Sequence, residues 1–213
     1  ISKQNFNKIK ILLTGSGRAS KGSIELLKQA NIKQVSINDY LNNKYDKAVF
    51  CKISAKEHVE KKDGKEISKV KNYLFETDMF IACHYWEPKF PKFFYSNQIN
   101  KFKNLKIIGD ITCDINGAIP TTIRSTSIAK PYYSIDINTM KEIDLSDKGI
   151  AVMAVDNLPS ELPRDASEEF GSSVISEVLP SLVNKDDGRI NRATTASNGK
   201  FFKNFAYLND FIN

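Results

Sequence analysis

The sequence predicts an α/β protein built on a doubly wound parallel β-sheet with helices on both faces. Apolar runs of strand length alternate along the chain with segments of helical periodicity, as in βαβ units. The runs are continuously apolar rather than alternating, which is typical of parallel strands buried on both faces. With 213 residues, the chain is long enough to bury a substantial core.

The first predicted unit is a strand, a tight turn and a helix. Lys8–Thr14 is an apolar run that ends abruptly, and a helical pattern begins at Ser20. The apolar positions of this pattern fall about one turn apart, at Ile24, Leu27 and Ala30. A second strand is predicted at Gln34–Ile37, ending at Asn38 and Asp39.

Four later apolar runs predict further strands: Ala48–Ile53, Asp78–Cys83, Leu105–Ile111 and Gly149–Val155. The segment Tyr40–Leu74 has no clean period apart from the first of these strands and a helix expected toward Tyr73. After Pro163, an apolar stripe at helical spacing predicts a long helix. We expect residues 1–183 to form one domain and residues 184–213 to form a polar tail whose late aromatic residues pack back onto the body.

The charge pattern disfavours nucleic acid as a partner. The formal charge of +6 comes from 31 Lys and Arg against 25 Asp and Glu, and the lysines are scattered singly. The densest charged stretch, Glu60–Glu66, mixes both signs, whereas phosphate binding calls for patches of one sign.

The cysteines and the apolar runs indicate a cytoplasmic protein. Cys51, Cys83 and Cys113 are odd in number and form no CxxC pair, so we expect buried thiols in a reducing compartment and no metal site. No run reaches the ~18 apolar residues of a membrane span, and the start lacks the apolar stretch of a signal peptide.

The sharpest local motif is the glycine turn after the first strand. Gly15 and Gly17 stand where a backbone turn brings amides to a pyrophosphate at a helix N-terminus, as in a Rossmann-like fold. The strict GxGxxG pattern is only approximated, because Ser20 replaces the third glycine and Gly22 follows two residues later. A plain strand-to-helix connection is the alternative interpretation.

Two acidic positions are candidates for ligand contacts. Asp39, at the predicted end of the second strand, is placed to accept hydrogen bonds from an adenosine ribose, although a turn or helix-capping role is the favoured interpretation from the residues alone. Asp110 and Asp114 follow a predicted parallel strand, at the crevice where such sheets bind ligands. Paired acids are also compatible with a metal site, with glycosidic chemistry or with loop capping.

The two histidines provide no hydrolytic triad, since neither is accompanied by a candidate serine or cysteine nucleophile, and Cys83 is expected to be a buried structural thiol. His58 lies in a polar stretch and is predicted to be a surface residue. His84 follows a strand end, where general-base work is conceivable but a packed or loop histidine is the favoured interpretation.

Several segments resemble, in order and spacing, the lysine-forming saccharopine dehydrogenases, with lysine-ketoglutarate reductase and alanine dehydrogenase as wider kin. They are Gly17-Arg18, Asp78–Tyr85, Gly109–Asp114, Val155–Pro159 and Leu162–Ser167. The stretch DNLPSELPRDASEEFG is the most specific, because no periodicity requires its prolines and acids to occur together. The resemblance covers nearly the whole chain.

This resemblance implies an NAD-dependent amino-acid dehydrogenase, with NADP less favoured because of Asp39. The glycine turn already makes Gly15 a candidate cofactor contact. The resemblance implies further cofactor contacts at Gly17, Arg18, Asp39, Tyr85, Val155, Asp156, Asn157 and Leu158. Asp110, Ile111 and Thr112 would lie beside the nicotinamide and an amino-acid substrate. The implied reaction is reversible oxidative deamination with hydride transfer to NAD, and self-association into a homo-oligomer is an open possibility.

In that family the catalytic residues come largely from a domain that precedes the nucleotide-binding one. The chain begins at Ile1, close to its first strand, so we expect a truncated and inactive enzyme with no catalytic residue of its own; residues 184–213 alternatively complete the missing domain. The competing interpretations are a non-catalytic NAD-binding regulatory protein and an enzyme of unrelated substrate on the same fold.

Overall fold

The computed structural model describes residues 8–145 and 149–212. The chain divides into two compact units, Ile1–Asn157 and Leu158–Asn213. The domain boundary expected after residue 183 stays a prediction.

The first unit consists of a large sheet, a small hairpin and four α-helices in its described part. Its strands are β1 (Lys10–Thr14), β2 (Lys33–Gln34), β3 (Val49–Ile53), β4 (Val59–Lys62), β5 (Lys65–Ser68), β6 (Met79–Ala82), β7 (Ile107–Asp110), β8 (Tyr132–Asp136), β9 (Glu142–Ile143) and β10 (Gly149–Met153). Its helices are α1 (Arg18–Gln29), α2 (Ile37–Asn42), α3 (Ala55–His58) and α4 (Val70–Leu74), with a 3₁₀ helix at Ser96–Lys101.

Within the described residues, eight strands form one sheet in the order β2-β3-β1-β6-β7-β10-β8-β9. The first six strands in this order, β2 through β10 across the sheet, run parallel to one another. In contrast, β8 is antiparallel to β10 and β9 is antiparallel to β8. The predicted fold class is confirmed, with an antiparallel margin on one side. Because β1 pairs with β3 and not with β2, the second strand of the chain lies at the outer edge.

Two apolar clusters lie on opposite faces of the sheet, as a doubly wound fold requires. On one face, Ile11 and Phe50 pack with Ile24 and Leu27 of α1. On the other face, Leu12 and Phe80 belong to a larger cluster. That cluster also contains Tyr40 of α2 and Val70, Tyr73 and Leu74 of α4.

Burial on both faces holds for the central strands and weakens toward the antiparallel margin. Four of the five residues of β1 and of β3 are buried. In contrast, Met79 and Ile81 of β6 are half-buried, and Ile107 of β7 is 42% exposed. The expectation of strands buried on both faces is therefore wrong for one face of β6, whereas in β7 only Ile107 is exposed.

The hairpin of β4 and β5 was not anticipated from the sequence. Its two-residue turn is Asp63-Gly64, and both residues have positive φ, as in the Asp-Gly turns that favour tight hairpins. The surrounding lysines and glutamates hide the strand pattern, because strands are usually recognised by alternating apolar residues. The turn dipeptide is the one local indication of this hairpin.

The second unit begins with a long helical segment, as predicted after Pro163. It runs through α5 (Pro163–Ser173), a π-helical turn (Val174–Val178) and α6 (Leu179–Val183). Pro180 explains the wider turn, because proline supplies no N–H and its ring collides with the carbonyl four residues earlier.

The rest of the second unit contains short elements. They are a 3₁₀ turn at Leu158–Glu161, α7 (Arg189–Ala193), a hairpin of β11 (Ala196–Ser197) and β12 (Lys200–Phe201), and a 3₁₀ segment at Lys203–Phe211. The turn of that hairpin, Asn198-Gly199, has two positive φ values. The docking of the tail stays a prediction.

Among the helices in the described residues, none is both long enough and apolar enough to cross a membrane.

Candidate functional site

The carboxyl ends of β1, β3 and β6 meet at a cavity of about 820 Å³. This is the edge of a parallel α/β sheet at which ligands bind, and the volume is within the range of roughly 300–1,000 Å³ for small-molecule sites. The cavity is lined by Gly15, Ser16, Gly17, Arg18, Ala19, Ala55, His58, Val59, Glu66, Cys83, His84, Tyr85, Trp86, Phe90, Pro91 and Phe93. The predicted residues Gly15, Gly17, Arg18 and Tyr85 are brought together here.

Gly15 closes β1 at a crowded point between two neighbouring strands. Its amide donates to the Ile53 carbonyl at the end of β3 (3.0 Å), and its carbonyl accepts from the buried Ser20 hydroxyl (2.9 Å). Its φ is +103°, and a Cβ here would lie 2.2 Å from the Cys83 carbonyl oxygen. Only glycine permits this approach, so Gly15 shapes the floor of the cavity.

Gly17 is placed differently, at the N-terminus of α1. It is the N-cap of this helix with φ −82°, and a Cβ there would meet no protein atom within 4 Å. The first-turn amides of a helix have no intrahelical partners and carry the positive end of its dipole. The space beside Gly17 is therefore open, and the first-turn amides of α1 next to it are suited to binding an anion.

Two histidines in the cavity wall both pack on Phe93. The ring of His84 lies 4.1 Å from the Phe93 ring, centroid to centroid, and the His58 ring lies 5.2 Å from it at nearly a right angle. Nδ1 of His84 is 3.3 Å from the Thr14 hydroxyl, and Nδ1 of His58 is 3.4 Å from the Ser68 hydroxyl.

Burial makes both histidines weak bases. Burial, together with a smaller contribution from the neighbouring His58, lowers the pKa of His84 to about 3, and burial lowers the pKa of His58 as well. The prediction that His58 is a surface residue is wrong, because this side chain is 5% exposed. The segment has no periodic pattern from which its burial could be inferred. The packed interpretation of His84 is confirmed.

The hairpin of β4 and β5 supplies an unexpected wall of the cavity through Val59 and Glu66. Among the described residues that line the cavity, Glu66 is the one carboxylate. Lys61 lies directly opposite Glu66 in the hairpin, so the two side chains share a face.

Asp39 lies outside the lining of this cavity. The predicted second strand is present but does not extend to Ile37, since β2 ends at Gln34 and Asp39 lies in the first turn of α2. The Ser36 hydroxyl donates to its carboxylate (2.8 Å) and accepts from its amide (3.1 Å), the reciprocal pattern of a helix cap. A ribose contact through Asp39 stays a prediction, but the alternative capping role is the one seen.

Asp110 is a buried organiser of the loop after β7. One carboxylate oxygen accepts from the Thr112 amide (3.1 Å), the Thr112 hydroxyl (2.6 Å) and the Cys113 amide (3.3 Å), and the other accepts from the Thr122 hydroxyl (2.6 Å). These four bonds use the capacity of a carboxylate, and the side chain is 1% exposed. The predicted substrate contact stays untested, while half-buried Ile111 and Thr112 lie nearer the surface.

The loop after β7 is tied to the segment after β10. The Cys113 thiol donates to the Ala154 carbonyl (3.0 Å). Burial, followed by the carboxylates of Asp110 and Asp156, raises the pKa of this thiol. The predicted cofactor residues Val155–Asn157 therefore adjoin the predicted substrate loop, while Leu158 opens the 3₁₀ turn of the second unit.

Tyr85 contributes an exposed edge to the cavity. Its ring is 77% exposed, and its hydroxyl donates to the Glu87 carboxylate (2.7 Å). In the described part of the chain, no group of three histidine, cysteine or acidic residues is placed to hold a metal ion.

The comparisons with known proteins agree with this geometry. Residues 4–201 match the family described as alanine dehydrogenase/PNT, C-terminal domain. The chain is 27% identical to an alpha-aminoadipic semialdehyde synthase of Arabidopsis thaliana, over 92% of the chain and 22% of that protein. It is also similar to saccharopine dehydrogenases [NAD(+), L-lysine-forming] of Emericella nidulans (26% identity, 88% of the chain, 45% of the relative) and Neurospora crassa (28%, 83% and 41%). The chain thus spans less than half the length of each of these relatives.

Proposed function

Because the chain belongs to the alanine dehydrogenase/PNT C-terminal domain family, we propose that it is the NAD-binding portion of an amino-acid oxidoreductase resembling saccharopine dehydrogenase. The observation that carries the proposal is the cavity at the carboxyl ends of β1, β3 and β6, bordered by the glycine turn and the N-terminus of α1.

The residues of the cavity fit a dinucleotide. The turn at Gly15 and Gly17 offers a close backbone approach and helix amides for a pyrophosphate. Arg18, at the same turn, adds a cation to the lining, and the aromatic rings of Trp86 and Phe90 supply apolar surface.

NAD, when bound, supplies the hydride acceptor. The role of this chain is to bind and orient the cofactor. Asp110 holds the loop carrying Ile111 and Thr112 in one conformation, and we propose this loop as a wall for the amino-acid substrate.

The cofactor assignment is tested by Gly17→Leu. We expect the affinity for NAD⁺ to fall at least roughly thirtyfold, about 2 kcal/mol of binding free energy, because the new side chain fills the space of the pyrophosphate. Thermal unfolding should stay close to that of the unmodified chain, since no protein atom is displaced. Isothermal titration calorimetry measures the affinity.

Gly22→Leu is the matched control, because Gly22 lies in the same helix with equally open surroundings and outside the cavity lining. Its affinity for NAD⁺ should stay within about twofold of the original. Unchanged binding by Gly17→Leu would place the cofactor elsewhere.

Cofactor preference is a finer proposal: we expect NAD⁺ to bind more tightly than NADP⁺. Glu66 supports this preference, because a carboxylate in the cavity repels a 2′-phosphate and accepts from ribose hydroxyls. Glu66→Gln should narrow the ratio of the two affinities roughly fivefold, whereas Asp39→Asn, at the capping aspartate, should leave it unchanged. If Asp39→Asn narrows the ratio of the two affinities and Glu66→Gln does not, the ribose contact is made by Asp39 and the role of Glu66 is contradicted.

The activity of a whole enzyme is proposed from the relatives, as reversible oxidative deamination of an amino acid such as saccharopine, lysine or alanine. We expect the 213-residue chain alone not to reduce NAD⁺. The reason is that the cavity offers no strong base, because burial depresses the pKa of both histidines that line it. The absorbance of the reduced cofactor measures this activity. Turnover by the chain would contradict this expectation. Cytoplasmic location and self-association stay predictions.

A further inference from the structure

His84 carries an unsatisfied atom in the wall of the cavity. His84 follows β6 in the chain. Its ring packs on Phe93, and Nδ1 of the ring shares a hydrogen bond with the Thr14 hydroxyl. The other ring nitrogen, Nε2, is buried and has no hydrogen-bond partner among the residues that the structure describes. Buried polar atoms in folded proteins are almost always paired, so this nitrogen requires an explanation.

The direction of the bond between the Thr14 hydroxyl and Nδ1 decides which ring nitrogen carries the proton. The half-buried ring packs on Phe93 and stays neutral at ordinary pH because its pKa is lowered, so one nitrogen holds a hydrogen and the other a lone pair. Thr14 is itself buried, and its hydroxyl reaches Nδ1. When this hydroxyl donates to Nδ1, the imidazole hydrogen lies on Nε2, and the free group is a hydrogen-bond donor.

Building on the proposed function, we propose that His84 is a cofactor-binding residue whose Nε2–H donates a hydrogen bond to a ribose or phosphate oxygen of the dinucleotide. Thr14 is the positioning residue that orients the ring. The donor stands one residue beyond Cys83, whose carbonyl contacts the glycine turn. His84 lines the same cavity as Gly15 and Gly17.

A neutral donor suits this place better than a cation. His58, which also packs on Phe93, opposes a charge on His84. Arg18 and Glu66 also line the cavity. An anionic ligand is thus met by the helix amides and Arg18, and the imidazole contributes direction rather than charge.

The test compares His84→Leu with His84→Gln in the full chain, by calorimetry with NAD⁺ and by thermal unfolding without it. We expect His84→Leu to bind NAD⁺ roughly tenfold more weakly, the usual effect of one lost hydrogen bond. Its unfolding temperature without cofactor should change little, because an unpaired buried nitrogen is removed while the Thr14 hydroxyl loses its partner. His84→Gln, whose amide can donate from a similar position, should retain affinity within about threefold.

The outcomes separate the inference from the proposed function. If the unmodified chain binds neither NAD⁺ nor NADP⁺, the proposed function fails and the inference fails with it. If the unmodified chain binds NAD⁺ and both variants bind equally well, only the role of His84 is overturned. A lower unfolding temperature for His84→Leu with unchanged affinity would show a purely structural residue. An advantage of His84 over Leu that grows as the pH falls through about 6.5 would show a cationic ring and overturn the neutral donor.

Discussion

Gly15→Ala should destabilise the first unit by about 3 kcal/mol or more, lowering the unfolding temperature by roughly 6–12 °C. Two costs add at this position. The residue has φ +103°, which a side chain rarely tolerates, and the new methyl group would lie 2.2 Å from the Cys83 carbonyl oxygen. Relief would pull β1 away from β6 or break the bond from the Gly15 amide to Ile53. Differential scanning calorimetry measures the shift.

Gly17→Ala is the matched control for this prediction. The same methyl group added two residues later meets no protein atom, at a φ of −82° that any residue adopts. We expect its unfolding temperature to stay within about 2 °C of the original. If both alanine variants unfold alike, the close approach at Gly15 does not control stability.

Asp110→Ala should be the second large effect, a loss of about 3–5 kcal/mol in the free energy of unfolding. The change removes the acceptor of four hydrogen bonds at a 1% exposed position. It leaves the buried Thr122 hydroxyl and the half-buried donors of Thr112 and Cys113 without their partner, and a buried donor incurs its full desolvation cost. Urea denaturation measures the difference in free energy.

Asp110→Asn separates the hydrogen bonds from the charge. The amide oxygen can keep the three bonds to Thr112 and Cys113, and the amide nitrogen can donate to the Thr122 hydroxyl. We expect a loss of about 1–2 kcal/mol, clearly smaller than for alanine. Equal losses for the two variants would contradict the organising role and indicate that the negative charge itself is required.

Part of the candidate site is predictable from the amino-acid sequence. The glycine turn follows from local rules, because an apolar run that stops at Gly15-Ser16-Gly17 ahead of a helical pattern has few other conformations. Gly15, Gly17, Arg18 and Tyr85 do line one cavity. The predicted cofactor residues Val155–Asn157 lie beyond a parallel strand, as expected, and next to the loop after β7.

The roles of the polar residues are not predictable in the same way. Asp39 and Asp110 both bond to residues close to them in the chain, so a local hydrogen-bonding role competes with a ligand contact at every such position. The sequence is compatible with both roles. The structure shows helix capping at Asp39 and four internal bonds at Asp110.

The fold class, the central strands, the first and last long helices and the glycine turn all follow from the order of residues along the chain. Each depends on residues that are close in sequence, through the spacing of apolar side chains and the backbone freedom of glycine. The pairing of β1 with β3 rather than β2 is different, because it emerges only when the whole sheet is assembled. With that pairing, His58 and Glu66 reach the cavity that His84 borders, whereas Asp39 lies outside its lining. Strand order depends on contacts between distant segments, and a local pattern carries no information about which distant partner is chosen.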